Sequence, residues 1–141
     1  MVIAVAFVLL VLGVRLMTPH AVAPRTARAL AHALTVQRWH AVTSGDPVVL
    51  RFDDNAGPYI ARIGSFGCER DPTLQLKSLL VPPASVLIGW PSGAIAFDHA
   101  GRPRSCTGGG VGNTTIDIID RNGHQAAVIV AALGRVRWER R

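Results

Sequence analysis

Residues 28–52 have the sequence RALAHALTVQRWHAVTSGDPVVLRF, and the hydrophobic period of the chain changes within this stretch. Up to Ala41, small and apolar side chains recur near the helical period of 3.6 residues, which predicts an amphipathic helix. Ser44-Gly45-Asp46-Pro47 is a stop signal for that helix. We therefore predict that an amphipathic helix occupies residues 19–45, with Pro19 and Pro24 bending or interrupting its start. Its apolar positions are Ala27, Leu30, Ala31, Leu34 and Ala41, and its polar positions are Arg25, Arg28, His32, Thr35 and Arg38.

Beyond Pro47 the chain consists of short segments rich in β-branched residues, which are typical of strands. Arg121-Asn122-Gly123 predicts a tight hairpin between the last two strands, the second of which is expected to end near Leu133. This organisation predicts an α+β fold in which one long N-terminal helix packs on a small antiparallel β domain. The seven predicted strand segments are PVVLRFD (47–53), YIARIG (59–64), LQLKSLL (74–80), ASVLIGW (84–90), GAIAFD (93–98), TTIDIID (114–120) and QAAVIVAAL (125–133).

The first 14 residues, MVIAVAFVLLVLGV, contain no charged side chain, and Arg15 ends this apolar run. A helix needs about 20 apolar residues to cross a bilayer, so the run is too short. A secretory signal peptide is one interpretation, although the basic n-region is missing and Pro24 follows the Ala21-Val22-Ala23 cleavage pattern. A helix buried in the protein core is a second interpretation of this run. We favour a third, a membrane helix whose first turns are absent from this sequence.

The composition indicates a folded and basic protein. Of the 141 residues 49% are hydrophobic, which excludes a disordered chain, and the length suits one domain with a modest core. The formal net charge is +6. Such a charge favours a polyanionic partner, namely nucleic acid, anionic lipid or an acidic protein. Proteins linked to membranes are also often basic for topological reasons, so charge alone does not choose among these partners.

The two cysteines, Cys68 and Cys106, are predicted to form a disulfide if the domain lies outside the cytoplasm. Two unrelated free thiols are the alternative. The sequence has no Cys-x-x-Cys motif and no Cys/His cluster, so no metal is expected.

Three stretches together resemble the GspH/FimT family of minor pseudopilins, which have the layout of type IV pilins. Residues 28–52 resemble the second half of the family's helix and its first strand. GAIAFDHAGRPRS (93–105) resembles its Ile-x-Phe-x-x-x-Gly strand and turn. IDIIDRNGHQAAVIVAALGRVR (116–137) resembles its final hairpin, which ends in Gly-Arg.

This resemblance implies a pilin-like fold and a division of the chain into four parts. They are a hydrophobic transmembrane half of the helix (1–18), its amphipathic half (19–45), a periplasmic antiparallel β domain (46–133) and a basic C-terminal tail (134–141). It also implies a single-pass anchor in the inner membrane before assembly, and contacts with other pilin or pseudopilin subunits through the N-terminal helix. The family's prepilin peptidase site is not in this sequence, and we expect translation upstream of the start codon to reveal it.

The C-terminal segment GRVRWERR (134–141) contains four arginines, one glutamate and one tryptophan. In an extended chain Arg135 and Arg137 point the same way, about 7 Å apart, which is close to the phosphate spacing of DNA. Trp138 is a candidate for stacking on a base or sugar. A frayed, solvated terminus is the alternative interpretation.

In the FimT branch of the family, a C-terminal Gly-Arg-x-Arg motif is associated with DNA binding during natural transformation. Residues 134–137 match this motif at every specified position. The resemblance therefore implies non-specific binding of double-stranded DNA. The candidate DNA-binding residues are Gly134, Arg135, Arg137, Trp138, Arg140 and Arg141, joined by Arg102 and Arg104 if the fold brings them near.

No arrangement of residues typical of a catalytic site is present, so neither an enzyme nor a cofactor is expected. The histidines are scattered, and Asp117 and Asp120 are interpreted as turn and surface residues. The glycine-rich TGGGVGN (107–113) is interpreted as a surface loop, because a phosphate-binding loop would require a following helix and, for a P-loop, a lysine. A minor pilin for DNA uptake is the first hypothesis. A GspH-like minor pseudopilin near the tip of a type II secretion filament is the alternative.

Overall fold

The computed structural model describes residues 21–53, 57–75 and 77–141. The predicted transmembrane half of the helix (1–18) lies outside the described residues. Within them, no helix combines the length and the hydrophobicity that crossing a membrane requires. The described elements are α1 (Val22–Ser44), β1 (Val48–Asp53), β2 (Gly57–Ile63), β3 (Lys77–Ser78), β4 (Val86–Gly89), β5 (Ala94–Phe97), β6 (Pro103–Arg104), β7 (Thr114–Asp120), β8 (Gln125–Val130) and β9 (Val136–Arg140).

The predicted helix is present, and it ends at the predicted stop signal. Gly45 adopts the left-handed conformation, with φ of 75°, and its N–H donates a 3.0 Å hydrogen bond to the carbonyl of Ala41. This closes the last turn in the manner of a glycine C-cap. The predicted apolar positions of the helix are buried, and Leu30 and Leu34 are fully so.

The strands form two antiparallel sheets. The first sheet has the strand order β3-β2-β1-β5-β6, and the second has the order β4-β7-β8-β9. The helix packs chiefly against β7, β8 and β9. Apolar residues of the helix and of both sheets form a single buried cluster, whose largest members include Phe97, Leu30, Leu34, Leu50, Ile116 and Ile118. The observed architecture confirms the predicted α+β fold.

The prediction of the C-terminal topology was wrong in one respect. The hairpin at residues 121–123 exists and joins β7 to β8, but these are not the last two strands. Strand β8 ends at Val130, and the chain turns back to form β9, which pairs antiparallel with β8. The sequence of β9, VRWER, lacks an apolar pattern because the strand lies at the sheet edge. It pairs with the backbone of β8, and its Val136 packs half-buried against the core.

Asp120 was interpreted as a surface residue, and the structure corrects this: its carboxylate is buried and links the hairpin to the helix. One carboxylate oxygen accepts hydrogen bonds from the first helical N–H groups, at 3.0 Å from Val22 and 3.2 Å from Ala23. The other accepts from the N–H groups of Asn122 and His124. Desolvation raises the pKa of this carboxyl, but the four backbone donors outweigh it and lower the pKa from 3.8 to about 2.

Because the folded-state pKa of Asp120 is depressed, its stabilising effect is full above the unfolded value and is lost as the pH falls toward 2. The neutral isostere Asp120→Asn should therefore unfold at lower urea than the parent at pH 7. The difference between the two midpoints should shrink as the pH falls from 4 to 2, because the parent carboxyl becomes protonated. Equilibrium urea unfolding of both proteins at several pH values measures this, and a difference that stays constant down to pH 2 would contradict it.

The predicted disulfide is confirmed, and it fastens a loop over the outer face of the first sheet. Cys68 and Cys106 are bonded, with 4.8 Å between their Cα atoms. Val48 and Leu50 face the main core. Val49 lies between them and faces the opposite side of the sheet, yet it is also fully buried. Arg51 lies on the same face as Val49, and its guanidinium donates to the carbonyl of Cys68. The disulfide-linked loop therefore covers a second, smaller apolar layer.

Candidate functional site

The turn that contains Gly101 and the turn that contains Gly134 meet each other and helix α1 at Gly134. This glycine is buried and has φ of 95°. A β-carbon at Gly134 would lie 2.0 Å from the carbonyl oxygen of Gly101 and 2.7 Å from Nε of Arg38. Only glycine permits this approach, because the position combines a left-handed backbone with direct backbone contact. The glycine of the Gly-Arg-x-Arg motif therefore has a structural role.

This contact makes neighbours of Arg102 and Arg135, each of which follows one of the two glycines. Both side chains are exposed, whereas Arg38 is half-buried beside them. We call Arg38, Arg102 and Arg135 the arginine corner. Among the described residues, no carboxylate forms an ion pair with any of the three. The corner is therefore a site of uncompensated positive charge, as binding to a polyanion requires.

Arg104, which was also a candidate, is engaged by Asp98. Its Nε donates to the Asp98 carboxylate at 2.9 Å, and the carboxylate is mostly buried. The other oxygen of Asp98 accepts from the N–H groups of Ala100 and Arg102. Desolvation raises the Asp98 pKa, but these hydrogen bonds together with Arg104 lower it overall. Asp98 therefore remains ionised, so Arg104 stabilises the turn and adds no net charge to the corner.

Arg137 in β9 and Arg141 directly after it are also compensated. Arg137 lies 3.3 Å from the Glu139 carboxylate, and Arg141 lies 2.7 Å from Asp117 and 3.8 Å from Glu139. Two arginines and two carboxylates therefore share one exposed face, and their formal charges cancel. Such exposed pairs contribute little to stability, but they reduce the positive potential that a phosphate would meet.

Trp138 and Arg140 lie on the opposite face of β9. Trp138 pairs with Val128 across the strands, and Arg140 pairs with Ala126. Val128 and Ala126 belong to the core, and directly opposed residues share a face, so Trp138 faces the core side with 36% of its surface exposed. The structure thus divides the predicted DNA-binding residues into the corner, the charge-compensated face and this opposite face.

The described residues contain no group of three or more His, Cys, Asp or Glu side chains able to hold a metal ion. His32, His40 and His99 are exposed and separate, and His20 lies outside the described residues. In the glycine-rich segment, the N–H of Gly109 donates to the Ser105 hydroxyl at 3.1 Å.

One helix packed on two antiparallel sheets is an architecture that this chain shares with two solved minor subunits of filament systems. The type IV minor pilin FimU of Pseudomonas aeruginosa superimposes with a TM-score of 0.59 and 17% identity, over 80% of this chain and 84% of FimU. The minor pseudopilin EpsH of the Vibrio cholerae type 2 secretion system gives a TM-score of 0.56 and 14% identity, over 85% of this chain and 98% of EpsH. No protein-family model and no curated protein matches the sequence.

These similarities confirm the predicted pilin-like fold of the GspH/FimT type. Identities of 14–17% carry the fold alone, so the assignment of function depends on the surface of this chain. Sequence reasoning missed one member of the corner, Arg38, which was assigned only to the polar face of the helix. Its partner Gly101 is 63 residues away in sequence, so no local pattern could have paired them.

Proposed function

We propose that this protein is a minor subunit of a type IV pilus-like filament that binds double-stranded DNA non-specifically in DNA uptake. The observation that carries the DNA-binding proposal is the arginine corner, where Arg102 and Arg135 are exposed, each follows one of two glycines in contact, and neither forms an ion pair with a described carboxylate. Both structural neighbours are named as minor subunits of filament systems, which supports the first half of the proposal.

In this proposal the N-terminal helix contacts other pilin subunits and anchors the chain in the inner membrane before assembly. The β domain then lies in the periplasm, where the Cys68–Cys106 disulfide persists because that compartment is oxidising. The arginine corner lies beside the C-terminal half of α1, away from Val22 at the start of the helix. Along the axis of α1, the corner is therefore distant from the proposed membrane segment. This position favours a soluble polyanion over the lipid surface.

The chemistry of the corner suits phosphate. Guanidinium groups bind phosphate oxygens with two parallel hydrogen bonds, and two exposed arginines on adjacent turns can contact two phosphates of one strand. Phosphate contacts carry no sequence information, so the proposed binding is non-specific and strongly dependent on salt. Arg137 and Arg141 belong to the proposed site only as flanking groups, because Glu139 and Asp117 offset their charge.

A matched pair of double variants tests the proposal. We expect Arg102→Ala/Arg135→Ala to reduce the slope of log K against log salt by about 1.8, since each lost phosphate contact removes about 0.9. Arg137→Ala/Arg141→Ala removes the same formal charge from the compensated face and should leave the slope nearly unchanged. The measurement is fluorescence anisotropy of labelled duplex DNA with the full chain in a non-ionic detergent, at several salt concentrations.

Two results would overturn the DNA-binding proposal. The first is that the parent protein binds no more tightly than a basic control protein of similar charge, such as lysozyme. The second is that the two double variants lose the same slope, in which case net charge rather than the corner explains binding.

The alternative function is that of a GspH-like minor pseudopilin near the tip of a type II secretion filament. The fold shared with EpsH, which is named as a minor pseudopilin of a type 2 secretion system, supports this alternative. In a strain deleted for the gene, loss of exoprotein release with normal transformation would support the secretion function. Loss of transformation with normal exoprotein release would support the pilus function.

A further inference from the structure

Arg38 contacts both turns that carry the exposed arginines. It lies near the end of α1, and its Nε donates a 2.9 Å hydrogen bond to the carbonyl of Gly101. A β-carbon at Gly101 would lie 3.2 Å from Cγ of Arg38, so the side-chain stem lies flat against this turn. The same Nε is 2.7 Å from where a β-carbon of Gly134 would be. One side chain of the helix thus joins the residues that immediately precede Arg102 and Arg135.

The turn before Arg102 is held from its other side by Asp98. The Asp98 carboxylate accepts the N–H of Arg102 at 2.9 Å, and the Asp98 carbonyl accepts the N–H of Gly101 at 2.8 Å. On the second turn, the N–H of Gly134 donates to the carbonyl of Ala131, also at 2.8 Å. Each turn is closed by its own hydrogen bonds, and Arg38 supplies a polar contact from the helix to the two turns.

We propose that Arg38 is a positioning residue for phosphate binding: it fixes the two turns against each other and so sets the spacing of Arg102 and Arg135. This inference rests on the proposed DNA binding and adds a residue outside the C-terminal segment. Two cations held at one spacing engage two phosphates with less loss of conformational freedom than two independent side chains. Arg38 therefore acts on DNA affinity through Arg102 and Arg135.

Arg38→Lys is the decisive variant. Lysine retains the positive charge, but it has no N–H donor at the position of Nε, so the bond to Gly101 is lost. We expect Arg38→Lys to bind duplex DNA roughly tenfold more weakly, with a salt slope lower by about 0.9, the value of one phosphate contact. In the Arg102→Ala/Arg135→Ala background, the same change should have no further effect on affinity.

Hydrogen–deuterium exchange on the full chain provides a readout that does not involve DNA. In Arg38→Lys we expect faster exchange in peptides covering residues 98–102 and 131–135, with unchanged exchange in strand β8. This pattern would show that the two turns have loosened while the fold is intact. Faster exchange throughout the domain would mean that Arg38 serves general stability, and it would overturn the inference.

The DNA measurements separate the remaining outcomes. If Arg38→Lys binds like the parent, the charge is sufficient and positioning is refuted. If Arg38→Lys weakens binding equally with and without Arg102 and Arg135, then Arg38 contacts DNA directly and positioning is again refuted. If the parent shows no salt-dependent binding, the proposed function fails and this inference fails with it. If the parent binds DNA and Arg38→Lys binds it equally well, the proposed function stands and only this inference is overturned.

Discussion

Replacement of Gly134 by alanine is expected to lower the free energy of unfolding by roughly 2–6 kcal/mol. A strained backbone conformation costs about 1–3 kcal/mol, and overpacking a tight contact costs about another 1–3 kcal/mol. The added β-carbon would lie 2.0 Å from the carbonyl oxygen of Gly101, which is backbone and cannot rotate away. Equilibrium urea unfolding of the full chain measures the loss.

Gly123→Ala is the matched control for this variant. Gly123 has φ of 81°, close to the 95° of Gly134, but a β-carbon there would meet nothing within 4 Å. The free energy of unfolding that Gly123→Ala loses should therefore include the cost of backbone strain but not that of a steric clash. This loss should be about 1–3 kcal/mol smaller than the loss in Gly134→Ala. Equal losses in the two variants would contradict the close packing of Gly134 against Gly101. The comparison also bears on function, because Gly134→Ala would separate Arg135 from Arg102.

Removal of the disulfide is the second change with a large expected effect. The Cys68→Ser/Cys106→Ser variant should lose roughly 3–4 kcal/mol of unfolding free energy, mainly because the bond restricts the unfolded chain over a separation of 38 residues. The loss should also have a folded-state part, because the loop it fastens covers buried Val49, Ala61 and Ala96 on the outer face of the first sheet.

Reductant supplies the control for the disulfide prediction. Adding it should bring the urea midpoint of the parent down to that of Cys68→Ser/Cys106→Ser, while leaving the double variant unchanged. A parent midpoint that does not respond to complete reduction would refute the prediction.

The sequence by itself determined the elements whose signals are local. The 3.6-residue period, the stop at Gly45 and the turn at residues 121–123 predicted the helix and the β7–β8 hairpin, and the structure contains both. All seven predicted segments contain a strand, and six of them carry β-branched residues; LQLKSLL (74–80) has none. The resemblance to minor pseudopilins supplied the way these elements pack, and the superposition on FimU and EpsH confirmed that fold.

Tertiary structure alone decided which arginines carry free charge. In sequence, Arg135, Arg137, Arg140 and Arg141 form one basic segment, and Glu139 is its single acid. In the fold, strand pairing brings Asp117 to Arg141, and the left-handed Gly134 brings Gly101 and Arg38 to the base of Arg135. These contacts join residues that are 24 to 96 positions apart, so no period or motif encodes them. Charge compensation is a property of distance in space, and only the packed sheets and helix fix that distance.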